Sequence, residues 1–170
     1  MSTKIEWTDV TVNPFPGCRK ISPGCLNCFA EKMARRLKAM GQSTYADVVD
    51  ERGWTGKVGC DPKAMRVPGK GKMVFVNSMG DLFYEGTLSK SLMGAEDEAA
   101  DRVFAMVAKQ PQHTFQVLTK RPEAMKRYFA GKHQDLLSHG TWFFRDGRIH
   151  PKDGARVQAK FLFAFNISLP

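Results

Sequence analysis

Cys18, Cys25 and Cys28 stand within eleven residues, in Gly-Cys-Arg-Lys-Ile-Ser-Pro-Gly-Cys-Leu-Asn-Cys-Phe-Ala, at C-x6-C-x2-C spacing. Clustered thiolates bind soft metals, and three of them leave one corner of a four-cornered site open to a cofactor or substrate. Pro16, Gly17, Pro23 and Gly24 punctuate the loop with turns that can aim successive sulfurs at one point. Three chemistries fit the pattern. A disulfide needs an oxidising compartment, whereas the opening Met-Ser-Thr-Lys-Ile-Glu-Trp lacks the apolar core of a signal peptide and no stretch reaches membrane-spanning length. Zinc is a second reading, with Cys60 or a histidine closing the site, although Cys60 has no partner at x2 spacing as zinc ribbons usually do. An iron–sulfur cluster with three protein ligands is the third and sharpest, and it leaves Cys60 an ordinary thiol.

The elements that must position these sulfurs are readable from periodicity. Phe29, Met33 and Leu37 recur every fourth residue beside Ala30 and Ala34, with Glu31, Lys32, Arg35 and Arg36 off that line. This predicts an amphipathic helix from Phe29 to Met40, stopping at Gly41, with Cys28 at its N-terminus, where the helix dipole favours a thiolate. Residues 1–28 read as an irregular entry segment. Residues 42–72 read as loop-rich, broken by Pro62, Pro68, Gly69 and Gly71. Met73 to Asn77 has the continuous apolar form of a strand buried on both faces, and Thr114 to Leu118 is a second strand. A helix is expected from Ser89 to Lys109, anchored by Leu92, Val103, Phe104 and Val107, and a short one from Glu123 to Phe129. Strand, helix, strand, helix predicts parallel βα units.

In such units ligand groups collect where strands end and loops into helices begin. Asn77, Ser78 and Asp81 follow the first strand, and Thr119, Lys120 and Arg121 follow the second. Both sets are expected on one face, beside the cysteine loop. The plainer alternative has Asp81 capping a turn and Lys120–Arg121 as a surface basic pair. Trp7 and Trp54 read as packing anchors and His113 as a loop residue. His133, His139 and His150 lack metal spacing, and Arg66, Lys70 and Lys72 sit in a glycine-rich loop able to meet phosphate.

The 170 residues are 42% hydrophobic and 25% charged, which suits one globular domain with a real core and excludes a disordered chain. The formal charge of +9 favours an anionic partner, nucleic acid first.

Ile-Glu-Trp-Thr-Asp-Val-Thr-Val-Asn-Pro-Phe-Pro-Gly-Cys followed by Ile-Ser-Pro-Gly-Cys-Leu-Asn-Cys-Phe-Ala resembles the phage-associated three-Cys-motif family, a domain of unknown function that is similar to radical S-adenosylmethionine (SAM) proteins. Val74-Phe75-Val76-Asn77-Ser78-Met79-Gly80-Asp81-Leu82-Phe83 and Gln112-His113-Thr114-Phe115-Gln116-Val117-Leu118-Thr119-Lys120-Arg121-Pro122 agree with it, so the resemblance runs from about Ile5 to about Tyr128. It implies a [4Fe–4S] cluster on Cys18, Cys25 and Cys28, with SAM on the open iron and a radical reaction on nucleic acid or a nucleotide. It also implies cofactor-binding roles for Ser78, Asp81, Lys120 and Arg121, Lys120 or Arg121 pairing with a carboxylate or phosphate. The alternative is a non-catalytic phage protein that binds a host macromolecule and keeps the loop as a structural zinc or cluster site.

Past Lys132 the resemblance stops. Trp142 to Phe144 and Phe161 to Phe165 are expected strands, paired with each other through the turn-rich stretch between them. The expected organisation is therefore one domain. Residues 1–41 carry the three-Cys loop and first helix, 73–130 the matching βα units, and 133–170 a divergent tail. The expected fold is α/β, a partial or open (β/α) barrel of parallel strands, shortened relative to the family, with an apolar sheet edge open to a homodimer or a host protein. The expected location is the cytoplasm, of a host cell if phage-encoded, without membrane association.

Overall fold

The computed structural model describes residues 5–88, 99–130, 141–145, 148–150, 157–158 and 160–165. Strand β1 (Val10–Val12) lies parallel to β4 (Met73–Val76), which lies parallel to β5 (Thr114–Thr119), in the registers Val10↔Val74 and Val74↔Phe115. Between β1 and β4 the chain makes helix α1 (Phe29–Ala39) and the small antiparallel ribbon β2 (Val49–Asp50) with β3 (Gly53–Trp54). Helices α2 (Glu85–Leu88) and α3 (Ala99–Ala108) precede β5, and α4 (Pro122–Ala130) follows it. In the tail, β6 (Thr141–Arg145) pairs antiparallel with β7 (Arg148–His150) and β8 (Val157–Gln158), while β9 (Lys160–Phe165) runs parallel beside β5.

The fold is thus α/β with parallel βα units, as expected. The strand order β1-β4-β5-β9 follows chain order, and the sheet is open, not a closed barrel. Two strand expectations need correction. The entry segment contains β1, three residues too short to show periodicity. The two tail strands do not pair with each other: β9 joins the main sheet and β6 a separate ribbon. The first ten residues of the helix expected from Ser89 lie outside the described residues, and α3 supplies its second half. His133 and His139 also lie outside.

Met73–Val76 is apolar throughout because the strand has neighbours on both sides and buried residues from Val74 to Val76. Against this sheet packs α3, in which eight residues are buried, Val103, Phe104 and Val107 among them. Phe83, Phe104, Tyr128 and Phe129 then form an aromatic quartet with ring centroids 5.1–6.5 Å apart. Burying each such ring contributes about 1.5–3 kcal/mol. Phe83 is therefore a strong anchor for the loop that leaves β4.

Helix α1 packs elsewhere. Ala34, Tyr45, Val49 and Met79 form a second cluster, with Ala30, Met33, Leu37 and Trp54 against it. Phe29, expected on the buried stripe, is 71% exposed. It is the first residue of the helix, where no preceding turn shields it, and the buried line runs through Ala30 and Ala34 instead. Trp7 packs against Phe75 with tilted rings, centroids 4.8 Å apart, while remaining half exposed, and Trp54 packs in the second cluster. His113 is a loop residue directly before β5, as expected, but a buried one: its Nδ1 accepts the Lys72 N–H at 3.3 Å and ties the 65–72 loop to the start of β5. That loop therefore lies at the amino ends of the strands. Among the described residues no helix is long and apolar enough to cross a membrane.

Candidate functional site

The carboxyl ends of β4 and β5 meet at Asp81. Its carboxylate accepts four hydrogen bonds: from Phe83 N–H at 3.0 Å, Thr119 Oγ1 at 2.8 Å, Lys120 N–H at 3.1 Å and Arg121 Nη1 at 2.9 Å. Asp81 and Arg121 are each 6% exposed at the side chain. Asp81 does cap its own turn, through Phe83, but Arg121 is no surface cation. A pair this dry holds because both charges are neutralised and the carboxylate and both Nη atoms are hydrogen-bonded. Arg121 Nε lies 3.9 Å from Glu85 Oε2, without a hydrogen bond among the described residues.

Arg121 and Lys120 carry this anchor to the cysteine loop. Arg121 Nη1 donates to Cys18 Sγ at 3.6 Å and Nη2 to the Arg19 carbonyl at 2.7 Å, and the guanidinium lies over the Tyr84 ring at 4.9 Å. Lys120 Nζ donates to Ser22 Oγ at 3.2 Å and to Cys25 Sγ at 3.8 Å. The loop is also fixed by its backbone, as Gly17 N–H donates to the Met79 carbonyl at 3.1 Å and Gly17 bridges to Gly80. Gly17 has φ +130°, and a Cβ there would run into the Lys57 carbonyl. Only glycine combines that angle with so close an approach.

The electrostatics separate two of the sulfurs. Burial pushes the Cys25 thiol up, but hydrogen bonds from the Ile21 and Ser22 backbone and the Ser22 hydroxyl, with the Lys120 charge, outweigh it and bring the pKa down to about 7. Burial raises Cys18, Arg121 draws it back down, and Asp81 pushes it up again, leaving it above the ordinary thiol range. Burial works against the charge on Arg121, yet Cys18 and Asp81 beside it hold it above its usual value. Cys28 is the N-cap of α1, without a side-chain capping bond.

Five predicted site residues thus come together: Cys18, Cys25, Asp81, Lys120 and Arg121. Ser78 is at the β4 end but turned to Asn13, donating to its Oδ1 at 3.0 Å, and Met79 N–H donates to the same oxygen at 2.8 Å. Cys18, Cys25 and Cys28 are free thiols, and Cys60 packs on the main core. Among the described residues no three of His, Cys, Asp and Glu stand close enough together to hold a metal ion. The donor chemistry fits a soft metal or cluster, but binding one requires residues 18–28 to draw their sulfurs in.

Asn13 was not legible, and Asn77, placed after the first strand from the sequence, has a geometry the sequence did not give. Asn13 braces the β4 loop from the end of β1, a strand that periodicity did not reveal. Asn77 is 3% exposed with φ +60°, and neither atom of its amide has a hydrogen-bond partner among the described residues. Its sequence signal is an asparagine directly after a buried strand, since asparagine is among the few residues that tolerate the left-handed region.

These features define an α/β protein with a thiol-bearing loop docked on the carboxyl edge of a parallel sheet. Residues 2–154 match a family described as protein of unknown function (DUF5131), and the chain belongs to that family. The match extends past Lys132, to residue 154. No curated protein and no solved structure shows significant similarity to the chain.

Proposed function

We propose that this chain is an iron–sulfur, radical-SAM-like protein of phage type, in which Cys18, Cys25 and Cys28 hold a [4Fe–4S] cluster and the substrate is nucleic acid or a nucleotide. One observation carries the reading. Lys120 and Arg121, projected from the end of β5, place a cation at the Cys25 and Cys18 sulfurs. The cation beside Cys25 favours its deprotonated, ligating form, and Arg121 offsets part of the burial that holds Cys18 protonated. Both cations also offset the negative charge that cluster-bound thiolates bring.

With SAM bound, such a cluster supplies one-electron radical chemistry to the substrate. The chain's own residues supply placement. Asp81 orients Lys120 and Arg121 by accepting from both. Arg121 holds the Cys18 end of the loop against the sheet through the Arg19 carbonyl. Lys120 keeps an ammonium on the loop side, suited to a cofactor carboxylate or a substrate phosphate. Ser78 lies at the neighbouring strand end, and the open sheet is read as part of a (β/α) barrel.

The test is anaerobic purification, reconstitution with iron and sulfide, and metal analysis with absorption and electron paramagnetic resonance spectra, with and without SAM. About four irons per chain and a spectrum perturbed by SAM are expected for a site-open cluster. One tightly held zinc and no iron would overturn the proposal in favour of a non-catalytic protein with a structural metal loop.

A further inference from the structure

Residues 18–40 carry six Lys or Arg and a single acid, Glu31. Glu31 faces inward: it is 7% exposed and pairs with Lys20 at 3.0 Å and Arg35 at 3.3 Å. Lys38 is also engaged, donating to the Val49 carbonyl at 2.8 Å. Arg19, in the cysteine loop, stays exposed, and on α1 that leaves Lys32 and Arg36 exposed, with no ion pair or hydrogen bond to their side chains among the described residues. On a helix they stand three and seven positions beyond Phe29, on the same face, spaced roughly 4.5–6 Å along the axis from one residue to the next. Phe29 is 71% exposed and Leu26, two residues before Cys28, is 72% exposed. An aromatic ring and two free cations in line, with no acid facing out from residues 18–40, match a nucleobase flanked by phosphates.

We infer that the outer face of α1 and the cysteine loop is a single-stranded nucleic-acid surface, with Phe29 stacking on a base and Lys32 and Arg36 meeting backbone phosphates, so that the strand is led to the cysteine loop. This rests on the functional reading above for its purpose, but not for its binding. A single strand is favoured over a duplex because an exposed ring has a use only where bases are unpaired. Charge complementarity favours a polyanion over an apolar protein groove, since the apolar residues are interleaved with cations.

Fluorescence anisotropy with labelled 20-nucleotide single-stranded DNA and RNA, and with a duplex, tests it across 50–200 mM salt. Single strands should bind more tightly than the duplex. Phe29→Ala should weaken single-strand binding about fivefold or more, and Phe29→Trp should preserve it. Lys32→Gln with Arg36→Gln should lower the slope of log affinity against log salt by about 1.4, or 0.7 for each phosphate contact. Equal duplex binding with Phe29→Ala silent overturns the inference. So does an equal slope loss from Lys126→Gln with Arg127→Gln on α4, or displacement by polyglutamate as effective as by oligonucleotide, which would point to an acidic protein. The assay is run before and after iron–sulfide reconstitution. Binding by protein that takes up no iron sinks the cofactor reading alone; iron uptake without binding sinks this surface alone.

Discussion

Replacing Asp81 by alanine should cost more stability than any other single change at the site. The carboxylate is the common acceptor of four donors, and two of these, Phe83 N–H and Lys120 N–H, are backbone groups with no other hydrogen bond shown among the described residues. Its partner Arg121 is equally dry, at 6% exposure. Removing one member of a buried ion pair costs about 3–5 kcal/mol, because the other is left as an uncompensated charge. At roughly 2–4 °C per kcal/mol for a chain of this size, the melting temperature should fall by roughly 6–20 °C. Arg121→Met is the informative comparison. It strips the ion pair but leaves the carboxylate three neutral donors, so its cost should be nearer about 1–3 kcal/mol. Thermal unfolding followed by circular dichroism measures both, with urea titration to show that the slope of unfolding is unchanged. The reasoning fails if Asp81→Ala shifts the melting temperature by less than about 3 °C, or if Arg121→Met costs as much as Asp81→Ala.

The metal-free protein should show Cys25 as its most reactive site thiol near neutrality. Alkylation by iodoacetamide, mapped by mass spectrometry, should have its Cys25 midpoint at about 7 and move up in Lys120→Met, while Cys18 should react only at more alkaline pH. The sign for stability follows from the same shift. A thiol depressed from 9.0 to about 7 stabilises the fold fully above the upper value and loses that contribution as pH falls through the lower. Stability should therefore rise from about pH 7 to pH 9 more steeply in the wild type than in Cys25→Ser; identical profiles would contradict the assignment. Gly17→Ala should cost about 2 kcal/mol or more, since it adds a clash with the Lys57 carbonyl to an unfavourable φ. Gly41→Ala, at φ +78° with nothing within 4 Å, should cost only about 1–2 kcal/mol for the left-handed backbone. Equal urea midpoints for the two would refute the close-approach argument.

The sequence made β4, β5 and α4 legible because their patterns are local: an apolar run bounded by turns, and an apolar spacing of three to four. It also placed Asp81, Lys120 and Arg121 on one face, since parallel βα units put strand ends together by construction. What it hid was set by long-range pairing. Val10–Val12 is a strand only because Val74 and Val76 lie beside it, and no three-residue window reports that. Phe29 fits the helical stripe by spacing, yet α1 begins at that residue and packs on the β2–β3 ribbon instead of on the main sheet. The tail strands carry no local mark of their partners, so β9 beside β5 was not foreseeable from apolar content.

The hydrogen-bond count at the strand ends narrows which residues can serve a ligand. Asp81 spends its acceptor capacity on four donors from the protein itself, and Ser78 gives its hydroxyl proton to Asn13. Both Nη atoms of Arg121 are committed, to Asp81, Cys18 and the Arg19 carbonyl. These three side chains hold the loop in place, and a ligand that took them over would have to break the anchor first. Lys120 differs, because its ammonium has three donors and rests on a hydroxyl and a sulfur at 3.2 and 3.8 Å, both weaker acceptors than a carboxylate or phosphate. Asn77 differs too, with a buried side-chain amide that has no hydrogen-bond partner among the described residues. Lys120→Met should consequently weaken binding of an anionic ligand while leaving the melting temperature within about 2 °C of wild type, as expected for a partly exposed lysine. A large loss of stability in that variant would mean that Lys120 belongs to the anchor with Asp81 and Arg121, and that the site's anion-binding group lies elsewhere.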